Sequence, residues 1–315
     1  MDEKLQNSQN VMKLLYFIKD ILRPLYNKLF RYYIGDVIVL HRVVDGEQSK
    51  ATKNKLLEIQ KNELVQLINQ YRNDGYEFVS LDVFMKEKNR LFTNKRIATI
   101  TFDDGYRDNY AIAYPLLKEL KAPFSVFISI DIIEQKAALW WYVLEDILWS
   151  QKEIILDGKT YTINTDEEKN DVFDIVHAKL SGLDTKDTVS WFKKNGVDWD
   201  TINTKYIKSI CMTWSELQAI AKDSLCTVGS HTLTHARLPL QSTDVRINEL
   251  KQSKSILEER LNCNVHFITY PYGACSAEVE SDVRKIGYAA GFLSRGGSVR
   301  KDQNRYRITR TKWNQ

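Results

Sequence analysis

The sequence predicts an α/β fold in which helices cover a mostly parallel sheet. Apolar runs at 97–102 and 124–130 are typical of buried strands, and residues with helical spacing at 110–120 separate them. This β-α-β order favours parallel strands with the helices outside. The 315-residue chain has 43% hydrophobic and 27% charged residues, a composition that fits a globular protein with one large domain or two small ones.

The N-terminal segment, residues 1–35, is predicted to form amphipathic helices. Apolar residues recur at steps of three and four from Val11 to Leu29, and Pro24 divides them into two helices. Charged residues interrupt the pattern, which excludes an ordinary transmembrane helix. The segment either packs on the domain or, through residues 11–33, makes peripheral contact with a membrane; we expect packing, because apolar stripes usually face a core.

Residues 36–315 are predicted to form the main domain, in which strands and helices alternate. A short apolar run at 37–40 predicts the first strand, which ends at His41. Apolar spacing predicts a helix at 54–73 and an extended segment at 76–81. Later strands are predicted at 225–228, 265–269, 287–292 and 307–312, and later helices from 213 and at 244–261 and 278–286.

Residues 134–210 interrupt this alternation and are interpreted as an insertion in a loop. Trp140, Trp141 and the apolar residues after them have helical spacing, and an Asp-Gly pair predicts a hairpin at 153–163. A polar helical stretch follows. Long loops on a rigid scaffold commonly contact substrate, so the two tryptophans either bind substrate or form the core of the insertion.

Two adjacent carboxylates, Asp103 and Asp104, follow the strand at 97–102, and Gly105 after them allows a sharp turn. Two ionised acids this close raise the pKa of one of them, and a neighbouring cation removes that cost. A turn that merely ends the strand would use the same residues, so this stretch alone does not identify a site.

Two of the five histidines, His231 and His235, lie four residues apart just after an apolar run. That spacing lets both imidazoles face one point. One carboxylate and two imidazoles are a common ligand set for a catalytic Zn²⁺ or similar ion, with a position left for water. The Asp-Asp-Gly and His-x-x-x-His stretches together therefore predict a metal site.

These stretches resemble motifs of the polysaccharide deacetylases, the NodB-like carbohydrate esterases of family 4. Residues 101–105 match the first motif and residues 231–235 the second, while residues 269–273 stand in place of the third. The resemblance covers roughly 36–130 and 211–310. It implies a distorted (β/α) barrel, here with a helical and hairpin insertion.

The resemblance also implies a role for each site residue. Asp104, His231 and His235 would hold Zn²⁺ or another divalent transition metal ion. Asp103 would be the catalytic base. Tyr272 would help to bind the oxyanion through its backbone N–H and would contact the substrate. Trp140 and Trp141 are candidates for substrate contact on other grounds, because they lie in a long loop.

The chain departs from the family pattern at Thr269, where relatives have an arginine that orients the catalytic Asp. Another arginine is expected to replace it. Arg295 and Arg310 are both candidates, and the sequence does not choose between them.

A second departure concerns the general acid, because the family's late histidine is missing. The early segment 40–43, which contains His41, resembles a rearranged segment in relatives that act on biofilm glucosamine polymers. We therefore expect a protonated His41 to act as the acid, since histidine is the most frequent acid–base side chain. A structural hydrogen bond at the strand end is the alternative role, and His177 in the insertion is the next candidate acid.

The expected function is that of a metal-dependent hydrolase. It would remove an N-acetyl or other small N-acyl group from an amino sugar of a surface polysaccharide, its lipid-linked precursor or a related glycan. A catalytically inactive glycan-binding barrel is the alternative, and the intact motif residues argue against it. A glycosidase is excluded, because adjacent carboxylates cannot flank a glycosidic bond.

Charge and cysteine content set the remaining expectations. A net charge of +4 does not argue for nucleic acid, although residues 291–315 hold seven Lys or Arg and one acid. That basic end either suits an anionic partner or is simply solvated. The four cysteines form no Cys-x-x-Cys pair, and the polar start shows no secretory signal. We expect a cytoplasmic protein, with the inner face of the membrane as the alternative location.

Overall fold

A computed structural model describes residues 33–88 and 96–313 of the protein. The N-terminal helices predicted for residues 1–35, and the membrane contact predicted for 11–33, lie almost entirely outside the described residues. Among the described residues, no helix combines the length and the apolar composition needed to cross a bilayer.

The strands of the described residues are numbered in chain order. They are β1 (Tyr33–Leu40), β2 (Arg42–Val44), β3 (Glu58–Gln60), β4 (Tyr76–Phe78), β5 (Arg96–Phe102), β6 (Phe124–Ile128), β7 (Glu153–Leu156), β8 (Lys159–Thr162), β9 (Cys226–Ser230), β10 (Phe267–Thr269), β11 (Ala290–Gly296), β12 (Val299–Arg300) and β13 (Ile308–Lys312).

The helices are numbered in the same way. They are α1 (Thr52–Lys55), α2 (Lys61–Asn73), α3 (Leu81–Lys88), α4 (Tyr114–Glu119), α5 (Ile130–Ile133), α6 (Trp140–Trp149), α7 (Asp166–Leu180), α8 (Thr185–Lys194), α9 (Trp199–Ile210), α10 (Trp214–Ala221), α11 (Thr243–Leu261) and α12 (Ala277–Ile286). A π-helical turn spans Asn109–Ala113, and 3₁₀ turns span Leu238–Leu240 and Pro271–Gly273.

Seven parallel strands close into a barrel in the order β1, β5, β6, β9, β10, β11, β13 and back to β1. The predicted (β/α) barrel is therefore confirmed. Its closure between β1 and β5 requires a glycine, because a Cβ added to Gly35 would lie 1.7 Å from the carbonyl oxygen of Ile97. Short β4 extends the sheet beside β5, and β12 pairs antiparallel with the start of β1.

Alternating residues of the barrel strands belong to two apolar clusters. Val37 and Ile97 pack in one cluster, whereas Ile38 and Ile100 pack in the other together with helix residues such as Leu64. Side chains on opposite faces of a strand alternate in this way, so the barrel strands are buried on both sides. This packing holds the carboxyl ends of the strands in a fixed arrangement at one end of the barrel.

The single helix predicted at 54–73 is wrong, because the structure divides this segment. Short helix α1 ends before β3, which pairs with β2, and α2 then begins at Lys61 with a capping box from Gln60 and Glu63. The apolar spacing placed Leu56 and Ile59 on one helical face. In the structure Ile59 is a buried strand residue, whereas Leu56 is 55% exposed.

Residues 134–210 form an insertion whose apolar cluster includes Ala51 as the single described residue from outside the insertion. The predicted hairpin is present as β7 and β8, and positive φ angles at Asp157 and Gly158 form its turn. The polar stretch after it contains two helices, α7 and α8, and a third, α9, follows. Trp140 and Phe173 lie in the cluster, so the insertion is held together by its own core.

Candidate active site

Asp104, His231 and His235 converge at the carboxyl ends of β5 and β9. The Oδ1 atom of Asp104 lies 3.3 Å from Nε2 of His231 and 3.4 Å from Nε2 of His235. One possible ligand atom from each residue lies within 4.8 Å of the other two. The structure thus brings together the three side chains predicted to hold a metal ion.

The surroundings of these atoms fit a divalent cation. The buried Oδ1 of Asp104 has no hydrogen-bond partner among the described residues. Nδ1 of His231 lies 3.0 Å from the carbonyl oxygen of Thr269 and 2.6 Å from its Oγ1. If Nδ1 is protonated and donates a hydrogen bond to that carbonyl, Nε2 is unprotonated and directs its lone pair at the Asp104 carboxylate. Two buried hydrogen-bond acceptors that face each other without a proton between them are unfavourable, and a cation bound between them removes that cost.

The local charges favour the same interpretation. Burial alone would raise the pKa of Asp104, but its contacts with His231 and His235 hold that pKa well below the usual value. Burial alone would lower the pKa of His231, but the charges of Asp103 and Asp104 raise it. The negative charge that attracts a proton to this cluster also attracts a metal ion.

The loops of the site adopt backbone conformations that most residues avoid. Asp104 (φ 78°), Thr232 (φ 71°), His235 (φ 60°) and Tyr272 (φ 59°) all have left-handed φ angles without being glycine. Such residues typically cost about 1–3 kcal/mol each and persist only where the surrounding structure holds them. Specific contacts must therefore fix these loops.

Glu249 of α11 provides such contacts for the loop between the two histidines. One of its carboxylate oxygens accepts hydrogen bonds from the backbone N–H groups of Leu233 and Thr234, both at 2.9 Å, and the other accepts the Thr234 hydroxyl at 2.7 Å. Glu249 is 4% exposed. Neither this burial nor the contact of Glu249 with the histidine loop can be read from the sequence, where Glu249 is one of several charged residues on an amphipathic helix.

Asp103 is held by Arg310, one of the two arginines that the sequence left open. The guanidinium donates to both carboxylate oxygens, at 2.9 and 2.5 Å, and also to Thr101 Oγ1 and the carbonyl of Leu293. Burial alone would raise the pKa of Asp103, but Arg310 and then His231 lower it. Arg295, the other candidate, lies in the exposed part of β11.

His41 lies at the end of β1, next to this pair. The backbone N–H of Asp103 donates to the carbonyl of Leu40, and Asn109 donates to the carbonyl of His41 at 2.8 Å. The imidazole lines the same cavity as Asp103 and Asp104. Burial lowers the pKa of His41 more than the two carboxylates raise it. The role of His41 as the general acid and its protonation at working pH stay predictions.

The cavity above these residues has a volume of about 330 Å³ and an aromatic wall. The rings of Tyr272 and Trp141 lie 5.0 and 6.0 Å from that of His235. Trp140 is only 5% exposed and belongs to the core of the insertion, yet it also lines the cavity, as does His177. The two roles considered for the tryptophans are thus compatible.

Comparisons with known proteins point to one family. The model of the polysaccharide deacetylase family matches residues 91–291. YxkH of Bacillus subtilis (strain 168), which carries the name of a polysaccharide deacetylase, is 20% identical over 281 residues, or 88% of this chain and 70% of that protein.

Two solved structures are similar in fold. The deacetylase PplD of Streptococcus pyogenes, determined in complex with acetate, has a TM-score of 0.60 and 17% identity, over 88% of this chain and 91% of that one. IcaB from Ammonifex degensii has a TM-score of 0.55 and 18% identity, over 90% and 95% of the two chains.

Proposed function

This chain belongs to the polysaccharide deacetylase family and is a carbohydrate N-deacetylase, and from this premise we propose that it is a metal-dependent hydrolase of N-acetylated amino sugars. The observation that carries the proposal is the convergence of Asp104, His231 and His235 beside the buried pair of Asp103 and Arg310. The sugar belongs to a surface polysaccharide, its lipid-linked precursor or a related glycan.

Asp104, His231 and His235 are the residues that would hold the ion, Zn²⁺ or another divalent transition metal. When bound, such an ion polarises a water molecule and the acyl oxygen. Asp103 is the base that accepts a proton from the attacking water. Arg310 keeps the Asp103 carboxylate ionised and fixes its orientation, so it acts as a positioning residue.

Two further groups complete the hydrolysis. The backbone N–H of Tyr272 donates to the acyl oxygen as that oxygen gains negative charge. The bond from the acyl carbon to the sugar nitrogen then breaks, and the nitrogen receives a proton from His41. Burial lowers the pKa of His41, whereas the nearby carboxylates Asp104 and Asp103 raise it, so these two carboxylates are the groups that would stabilise the protonated imidazole. The products are acetate and the free amino sugar.

The test is acetate release from a panel of N-acetylated monosaccharides, oligomers and lipid-linked sugars, together with metal analysis of the purified protein. We expect at least one substrate to release acetate, a chelator to stop the reaction, and Zn²⁺ to restore it. A protein that is loaded with metal and binds glycans, but releases acetate from no member of the panel, would favour the inactive glycan-binding barrel.

A further inference from the structure

His41 is the single residue between strands β1 and β2, so one sheet ends before it and another begins after it. Its carbonyl oxygen accepts a hydrogen bond from the side chain of Asn109 at 2.8 Å. Two residues later, the backbone N–H of Val43 donates to Oδ1 of Asp108 at 3.0 Å. Two adjacent side chains of the loop after β5 therefore hold the backbone of the segment that carries His41, and we call Asp108 and Asn109 the clamp.

Arg42, the neighbour of His41, fastens the same segment through its side chain. Its Nε donates to Oδ2 of Asp108 at 2.7 Å, so the two carboxylate oxygens bond the segment through its side chain and its backbone. The far end of the guanidinium donates to Glu58 and to the Tyr142 hydroxyl, both at 3.3 Å. Glu58 and Tyr142 are buried, which means that Arg42 is held at both ends.

The clamp is buried and its bonds are internally consistent. Asp108 is 8% exposed and Asn109 is fully buried. The Asn109 amide also donates to Oδ1 of Asp108 at 3.0 Å, which fixes the two side chains relative to each other. Asn109 begins the π-helical turn, a rare conformation that frequently occurs at functional sites. Hydrogen bonds to an ionised group are stronger than neutral ones, so the carboxylate of Asp108 is the main fastening of the clamp.

The clamp belongs to the same loop as the proposed base. Asp103 and Asp104 lie a few residues earlier, directly after β5. His41, Asp103 and Asp104 line the catalytic cavity, whereas neither clamp residue does. An effect of the clamp on catalysis must therefore pass through a residue that it holds. One loop thus fixes the base and the segment of the acid relative to each other.

We propose that Asp108 is a positioning residue, which holds His41 at the catalytic cavity so that the leaving nitrogen receives its proton. This inference rests on the proposed function, in which His41 is the acid. The proton moves from the imidazole to the sugar nitrogen as the bond from that nitrogen to the acyl carbon breaks, and Asp108 neither gives nor takes a proton. Misplacing a reacting group by about 1 Å can cost about 100-fold in rate, so the loss of this carboxylate has a measurable effect.

The kinetic test compares an N-acetylated sugar with an activated acetyl ester, whose leaving group needs no proton. Asp108→Ala should lower kcat for the sugar about 10–100-fold more than for the ester. Asp108→Asn keeps the oxygen that faces Val43 but loses the charge, so its effect should be intermediate, and it replaces the alanine variant if that variant does not fold. The matched control is Asp282→Ala, which removes a carboxylate of similar burial from its pair with Arg246, away from the site. This control should lower stability without changing the ratio of the two rates.

A double variant tests whether the effect passes through His41. In the His41→Ala background, removal of the Asp108 carboxylate should lower the remaining sugar hydrolysis by no more than about twofold, because the group that it positions is already gone. Equal losses on the sugar and the ester in the single variant would overturn the proposal. The full 10–100-fold loss in the His41→Ala background would overturn it as well.

A measurement without turnover separates this inference from the proposed function. The chain has five histidines, so the ring ¹³C signals of histidine-labelled protein can be assigned by substitution, with His41→Ala identifying the signal of His41. In Asp108→Ala and Asp108→Asn this signal should shift or broaden, whereas that of His266, just before β10 at the other end of the barrel, should not. This result would support the positioning role even if no sugar releases acetate and the hydrolase proposal fails. An unchanged His41 signal would refute the positioning role even if acetate is released.

Discussion

Replacement of Arg310 by Met should remove the buried guanidinium that pairs with the Asp103 carboxylate. The guanidinium is 0% exposed and donates to Asp103, to Thr101 and to a backbone carbonyl. Methionine has a similar length but no charge and no donors. The substitution therefore leaves a buried, unpaired carboxylate at the end of β5.

The size of the effect follows from this burial. Removing one partner of a buried ion pair typically costs about 3–5 kcal/mol of the free energy of unfolding, because the other charge stays buried. Replacing both partners removes most of that penalty. The double variant Arg310→Met/Asp103→Asn should accordingly be more stable than Arg310→Met alone, and a double-mutant cycle measures the coupling.

The contribution of Asp103 to the pH dependence of stability should have the opposite sign in the Arg310→Met variant. In the wild type the pKa of Asp103 lies below its usual value, so the pair stabilises the fold above the unfolded pKa and loses this effect as the pH falls through the folded pKa. Without Arg310, burial dominates and raises the folded pKa of Asp103. The variant then loses stability as the pH rises, so its deficit relative to the wild type should shrink in acid.

The assay is urea unfolding at several pH values, combined with acetate release. Arg246→Met is a matched control, because Arg246 forms a buried pair with Asp282 (2.6 Å) away from the site. We expect both Met variants to be destabilised but only Arg310→Met to shift the acid limb of the kcat/KM profile upward. Arg295→Met should change neither the free energy of unfolding nor the pH profile of kcat/KM. Equal pH profiles for all three variants would refute the assigned role of Arg310.

Four other variants test the remaining roles. His235→Ala should empty the metal site, and full metal occupancy in this variant, measured by atomic emission, would contradict the ligand assignment. Asp103→Asn should keep the metal but lower hydrolysis by about 10²–10⁴-fold, and wild-type turnover would exclude it as the base. His41→Ala should lower kcat far more for an amide than for an activated ester, whose leaving group needs no proton. Equal losses on both substrates would show that another residue is the acid, and His177 is the next candidate. Glu249→Gln should weaken metal binding by about 10–100-fold, as expected for a residue that orients ligands, whereas Glu259→Gln on the exposed face of α11 should not.

The residues of the site that sequence could predict are those that directly follow a recognisable strand. Asp103, Asp104 and His231 each follow a buried apolar run, and parallel strands bring such positions to one end of a barrel. The local sequence pattern and the order of the strands are sufficient to predict these residues, because the fold brings the ends of the strands together.

The residues that sequence could not assign depend on contacts between distant strands. Arg295 and Arg310 are chemically equivalent in the sequence, and only the pairing of β13 with β1 places Arg310 beside Asp103. Thr269 stands where an arginine was expected, yet it contacts His231 instead. The contribution of Glu249 likewise appears only when α11 is packed against the histidine loop.

The helix predicted at 54–73 failed for a different reason. Apolar residues at 56, 57 and 59 fit a helical period, but a short strand pairing with β2 satisfies the same backbone groups and buries Ile59. Periodicity does not distinguish these outcomes over so few residues. Tertiary pairing decided this segment, whereas α2, which is longer and has a capping box, follows its local pattern.

The contact between Arg310 and Asp103 joins positions 207 residues apart in the chain. During synthesis, domains generally form from the N-terminal side, so β5 and β9 leave the ribosome well before β13. A nascent chain therefore has every predicted metal ligand before it has the arginine that orients its base. Until β13 closes the barrel, the Asp103 carboxylate lacks its Arg310 partner, so in the proposed mechanism the base is oriented only once the last strand of the barrel is in place.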